Sequence, residues 1–252
     1  MNKRNYKTTL GLLSILIPTL AQANYQDDIY PLPEVFTASF GPAWANGGST
    51  QTFELWPGMN NTYFANNNSS TIFNGELFWG MQAPVASGTV GQLGVAGGWD
   101  TQATLNGEVW SNANPDNHFF NYSYHVSHSH VALKGKLLTD FPIYDIQAFI
   151  FASLGVGFNK SGGFTITTIN PAYVPPPAFK SYTNTSFTYT VGFGAQKMIN
   201  HRWAVSLGFE FADWGTNKLG KTQNQTLNHG LWLSHLFTNT LQFGVSYFFN
   251  LL

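Results

Sequence analysis

Along most of its length the chain alternates a large apolar residue with a small or polar one. EVFTASFGPAWA (34–45) puts Phe36, Ala38, Phe40 and Trp44 on one face, and TIFNGELFWGMQA (71–83) does the same with Phe73, Leu77, Trp79 and Met81. VGQLGVAGGWD (90–100) aligns Leu93, Val95 and Trp99; SHVALKGKLL (129–138) aligns Val131, Leu133 and Leu137 opposite Lys134 and Lys136. In IQAFIFASLGVGF (146–158) the second face also carries Phe149 and Phe151, so the alternation there is weaker. TSFTYTVGFGAQ (185–196), RWAVSLGFEFA (202–212) and the terminal TLQFGVSYFF (240–249) repeat the pattern most clearly. A period of two is the signature of a strand with two unlike faces, so the chain predicts about eight strands.

The connections add a second regularity. PVASGT, TDFPIY and KMINH are short, whereas the connections after the first, third, fifth and seventh strands are long and rich in Asn, Gly, Ser, Thr and Pro. Short turns alternating with long loops are the plan of an up-and-down antiparallel β-barrel in an outer membrane, with tight periplasmic turns and long extracellular loops. A hairpin hidden in 47–70 or 159–183 would raise the strand count to ten.

Composition separates this reading from soluble β folds. Charged residues make up 9% of the chain, against about 25% in ordinary soluble domains. The faces opposite the apolar stripes carry Gly, Ser, Thr, Ala and Gln rather than charge, which a β-sandwich or a lipocalin-like barrel would need on its exterior. The most apolar internal run, AFIFASLGVGF (148–158), is too short for a membrane-spanning helix. Strands that show an apolar stripe to lipid must close into a barrel, because no free edge can be solvated there.

The N-terminus supplies a compartment. Lys3, Arg4 and Lys7 precede an apolar stretch from Leu10 to Leu20 and then Ala21-Gln22-Ala23, the form of a secretory signal peptide cleaved after Ala23. The expected organisation is a signal peptide over 1–23 and one barrel domain over 24–252, exported to the outer membrane of a Gram-negative cell. Cleavage leaves eight basic against twelve acidic residues, so no basic surface for nucleic acid is expected. The chain has no cysteine, which excludes thiolate metal sites and cysteine nucleophiles.

The final strand, alternating and ending in Tyr247-Phe248-Phe249, is similar to the C-terminal signal by which bacterial outer-membrane proteins are inserted by their assembly machinery. In strand count, loop pattern and ending, the whole mature chain resembles the small outer-membrane barrels of the OmpA, OmpX and OmpW type. That resemblance implies outer-membrane lipid and lipopolysaccharide as surroundings, the assembly machinery as a partner, and a porin-like or structural envelope role without catalysis.

With the apolar faces outward, the inward faces collect Glu76, Glu210, Lys134 and Lys136, a polar plug or gate in an interior just wide enough for side chains. His128 and His130 share that face, and His125 lies on the other. A zinc site would want a third ligand at defined geometry, so these histidines read as rim residues where strands extend into water, and neither metal nor cofactor is expected. His125-Val126-Ser127 has the outline of a lipid-A-modifying site, for which Glu108 or Asp116 would have to supply the orienting carboxylate. The alternative role is a surface adhesin or ligand-binding barrel. Its host or envelope ligand would meet loop aromatics, Trp56, Tyr63 and Phe64 in 46–70 and Tyr173 beside Pro175-Pro176-Pro177.

Overall fold

The computed structural model describes residues 32–141, 146–222, 225 and 228–249; the expected signal peptide lies outside them. The strands in chain order are β1 (Glu34–Ala45), β2 (Gln51–Trp56), β3 (Met59–Ala65), β4 (Ser70–Ala86), β5 (Thr89–Ser111), β6 (His118–Phe141), β7 (Ile146–Thr168), β8 (Tyr182–Met198), β9 (Trp203–Asp213), β10 (Asn217–Lys218), β11 (Trp232–Leu233) and β12 (Phe237–Phe249).

Eight of them close a ring in the order β1-β4-β5-β6-β7-β8-β9-β12 and back to β1. Every neighbour is antiparallel, and the last strand seals the first by pairing Glu34 with Phe249 and Ala45 with Thr238. The predicted stripes face outward: Leu93, Val95, Leu133, Ile150, Leu154, Phe187 and Phe193 are all exposed, while Glu76, Lys134, Gln196 and Glu210 are buried within. A closed ring with an apolar outer belt and a polar interior is an outer-membrane β-barrel.

The wall is far from even in height. β5, β6 and β7 run for 23, 24 and 23 residues, whereas β9, β12 and β1 have 11, 13 and 12. A strand needs about 9–11 residues to cross a membrane, so the tall wall continues well beyond the lipid belt. The lipid-facing stripes predict shorter strands, bounded at Asp100, Ser129 and Phe158. Above those points alternation persists with its polarity reversed, so that Asn121, Ser123 and His125 look outward while Phe120, Tyr122, Tyr124 and Val126 look in. The segment 46–70, expected as a loop, holds the β2–β3 hairpin, which leaves eight strands in the ring because β3 adds to β5 above the belt, Asn61 to Ala65 pairing with Ser111 to Gly107.

These extensions form a crown with an apolar core of its own. Phe53, Tyr63, Leu105, Val109, Phe120, Tyr122, Tyr124 and Phe164 from the wall pack against Phe179, Trp214, Leu219, Leu231, Leu233 and Leu236 from the long connections. Above the low wall the crown is closed by the β10–β11 ribbon. Gly220 N donates to Lys180 O at 2.7 Å on one side; on the other, Trp232 N donates to Gln51 Oε1 at 3.1 Å and Gln51 Nε2 donates to Trp232 O.

Trp214 is buried at the junction of crown and belt, its ring stacked on His128 at 4.7 Å. Truncating a buried aromatic costs about 3–5 kcal/mol, and here the cost falls on the connection rather than on the ring. Trp214→Ala is therefore expected to open 214–236 to limited proteolysis while the barrel keeps its heat-modifiable migration on gels. Burial pushes the Tyr63, Tyr122 and Tyr124 phenols well above their ordinary range, with Tyr122 reinforcing the shift at the other two. Phenols kept neutral in the folded crown but free to ionise once unfolded contribute stability that is complete below pH about 10 and is lost as pH rises beyond it. Phenolate absorbance during an alkaline titration should rise for these rings only together with protease sensitivity of the crown.

Candidate functional site

Within the belt, the inward side chains form one connected column. Lys134 on β6 donates to Glu76 Oε1 on β4, and His130 Nε2 stands 3.8 Å from Glu76 Oε2. His130 Nδ1 lies 3.2 Å from His128 Nε2, and His128 Nδ1 lies 2.5 Å from Asn159 Oδ1. If His128 donates to the amide oxygen, His130 must donate to His128, an assignment made by the network itself. Asn159 Nδ2 completes the chain by donating to Trp214 O at 2.7 Å and Thr216 O at 2.9 Å.

Room for the imidazoles comes from glycines on the neighbouring strands. A Cβ at Gly98 would lie 2.4 Å from the His130 ring, and one at Gly157 would lie 2.6 Å from that of His128. Gly192 and Gly194 clear space in the same way for Phe151 and Phe149, which is why β7 can turn two large rings inward where its sequence alternates weakly. Each ring then carries an ammonium, Lys134 Nζ at 4.1 Å over Phe151 and Lys136 Nζ at 4.0 Å over Phe149, contacts that gain strength when desolvated.

Of the four predicted interior charges, the structure joins only Glu76 and Lys134 as an ion pair. Lys136 donates to Gln196 Oε1 at 2.8 Å, and Glu210 Oε2 accepts from Gln242 Nε2 at 3.0 Å. Between these groups lies a cavity of about 30 Å³ touched by Thr37, Ser39, Ser206 and Gln242, room for about one or two waters. Contrary to the expectation of rim residues, His128 and His130 are both buried inside the barrel, His128 under the Trp214 ring and His130 one step deeper beside Glu76, and neither reaches water at a rim. No group of three metal-ligating side chains forms among the described residues.

The loop aromatics are divided. Tyr63, expected at an exposed loop, is wholly buried, because β3 turns it into the crown against Tyr122, Phe164 and Phe179. Phe64, the next residue, faces out and stacks on Trp110 at 4.6 Å. Tyr173 is 44% exposed and stacks on Phe119 at 3.8 Å. The side chain of Trp56 lies outside those described. His125 Nδ1 meets Thr104 Oγ1 at 3.1 Å, while Glu108 is taken by Trp110 Nε1 at 3.0 Å and by His118 at 3.6 Å. The closest histidine–carboxylate pair among the described residues, His235 Nδ1 with Asp213 Oδ2 at 2.6 Å, has no sequence signature because the end of β9 and the start of β12 meet only on folding.

Removing one member of a buried pair leaves the other charge uncompensated, at about 3–5 kcal/mol, whereas replacing both with neutral groups of similar volume is close to neutral. Glu76→Gln is accordingly expected to destabilise the refolded barrel by about that amount, and Glu76→Gln combined with Lys134→Met to recover most of it, as read from the urea midpoint of the gel-shift transition.

Neither a family model nor a curated protein sequence matches the chain. Among solved structures it is similar to the outer membrane protein OprG of Pseudomonas aeruginosa, with 13% identity and a TM-score of 0.46 over 86% of this chain and 97% of that one. It is also similar to Neisserial surface protein A, at 10% identity and a TM-score of 0.41 over 86% and 97%. The outer membrane protease OmpT of Escherichia coli matches at 10% identity and 0.42, again over 86% and 97%.

Proposed function

We propose that this chain is a closed outer-membrane barrel, set in the lipid and lipopolysaccharide of the cell envelope, whose working part is the crown it holds above the lipid. It acts as a surface-presenting envelope protein and not as a solute channel. The observation that carries this reading is the continuation of β5, β6 and β7 far beyond the belt around a packed apolar core. A pore needs a lumen that stays open and wet along its whole length. Here the space among the interior charges is water-sized and the upper lumen is filled by side chains.

The strands also explain why such a crown is a suitable platform. Function is commonly carried by loops held on a rigid scaffold, and in this chain the scaffold itself is raised, so that the β5–β6 turn and the connection after β7 stand at its top. Export by the N-terminal signal and insertion through the β12 ending complete the reading as the route by which the barrel arrives.

Single-channel recording of the refolded chain in a planar bilayer tests it. The wild type is expected to be silent, and Glu76→Gln with Glu210→Gln to stay silent, because the apolar crown blocks the path whatever the charges below do. Discrete conductance steps in the wild type, altered by those substitutions, would overturn the reading and restore the gate.

A further inference from the structure

At the top of the crown three polar side chains converge with no hydrogen-bond partner among the described residues. Asn61 on β3 is only 4% exposed, and its neighbour across the ladder is Ser111 on β5. Asn112 follows at once, in a left-handed conformation with φ 54°, and Ala113 repeats that φ. These residues line a cleft of about 350 Å³ together with Phe120, Tyr173 and Pro175.

Asn61 is held by the surrounding wall, and the small part of it that remains open faces the cleft. Asn112 and Ala113, both left-handed, are the central residues of a tight turn closed by Asn114 N donating to Ser111 O at 3.2 Å, and this turn sets Asn112 in the cleft's lining. Tyr173 is fixed from behind by its stack on Phe119, so an aromatic residue is held in the cleft wall by a contact of its own.

The lining selects a class of ligand. It includes no charged side chain, so an anionic or cationic ligand would find nothing to offset its desolvation. Two amides and a hydroxyl offer donors and acceptors side by side, the combination that vicinal hydroxyls satisfy because each of them also gives and accepts. Phe120, Tyr173 and Pro175 supply apolar surface for the C–H face of a ring. An extended peptide would instead ask for free backbone groups, and here the β3 and β5 strands already pair through Asn61 and Ser111. The volume is at the lower end for ligand pockets, which suits a short ligand. We infer that this cleft binds a short neutral saccharide. The proposal rests on the crown being the working part of the molecule.

The test is an array of neutral and anionic oligosaccharides probed with the full refolded chain, in a zwitterionic detergent without sugar headgroups, followed by saturation-transfer NMR on any neutral sugar retained. At least one neutral sugar is expected to bind, with affinity reduced about tenfold or more in Asn61→Ala and in Asn112→Gly. Glycine accepts the left-handed backbone without strain, so loss in Asn112→Gly reports the missing amide and not a misfolded turn. Heat-modifiable migration of both variants checks that the barrel is intact. Retention of anionic sugars alone, no retention at all, or binding unchanged in both variants would each overturn the saccharide site. A chain that conducts ions would overturn the reading of the crown itself; a silent chain that ignores every sugar overturns only the cleft.

Discussion

Lipid offers no partner for a backbone N–H or C=O, and that single deficit organises the molecule. It forces every strand in the belt to be paired on both sides, hence the ring, and it makes the β1–β12 seam as necessary as any hairpin. Once the ring is closed, the pleat sends alternate side chains to two different solvents. The outward set meets hydrocarbon and is apolar; the inward set must live with its own polarity. The narrow lumen is therefore furnished with mutually satisfying groups, in which glycines are as necessary as the charges because they are what lets the imidazole and phenyl rings fit.

Above the belt the outer solvent changes and the same alternation is answered in reverse. On β6 the inward residues pass from Lys136, Lys134, His130 and His128 to Val126, Tyr124, Tyr122 and Phe120 with every second residue still inward, while on β5 an irregularity between Asp100 and Ala103 shifts the pairing at the same height. Trp214 sits at the change, one ring face on an imidazole of the polar column and its surroundings in the apolar core. The barrel is thus two proteins in radial order: polar inside in the lipid, apolar inside in water, joined by continuous strands.

That change of sign also sets what the sequence could reveal. The lipid-facing stripes were legible because large residues outside stand against small ones inside, and β1 was bounded correctly from them. The inward positions of Glu76, Lys134, Lys136 and Glu210 followed from parity alone, but their partners did not: nothing local says that Glu210 turns to Gln242 while Glu76 takes Lys134. The upper strands were missed because the stripe being followed moved to the other face at Val126. Tyr63 was misplaced for a related reason, since an Asn-rich segment reads as loop and only the pairing of β3 with β5 reveals it as wall. The Asn61 cleft draws on three separate connections and has no sequence signature at all.

The placement of the crown's cover has a consequence for assembly. Most of the cover over the apolar core, Trp214, Leu219, Leu231, Leu233 and Leu236, comes from the connection between β9 and β12, and β12 is also the strand that closes the ring on β1. An incomplete barrel that lacks its last hairpin would show the aromatic lining of the tall wall to its surroundings. The same stretch of chain thus both zips the final seam and hides that lining, so the last hairpin to be made is the one that leaves the barrel with neither a free edge nor a bare aromatic wall.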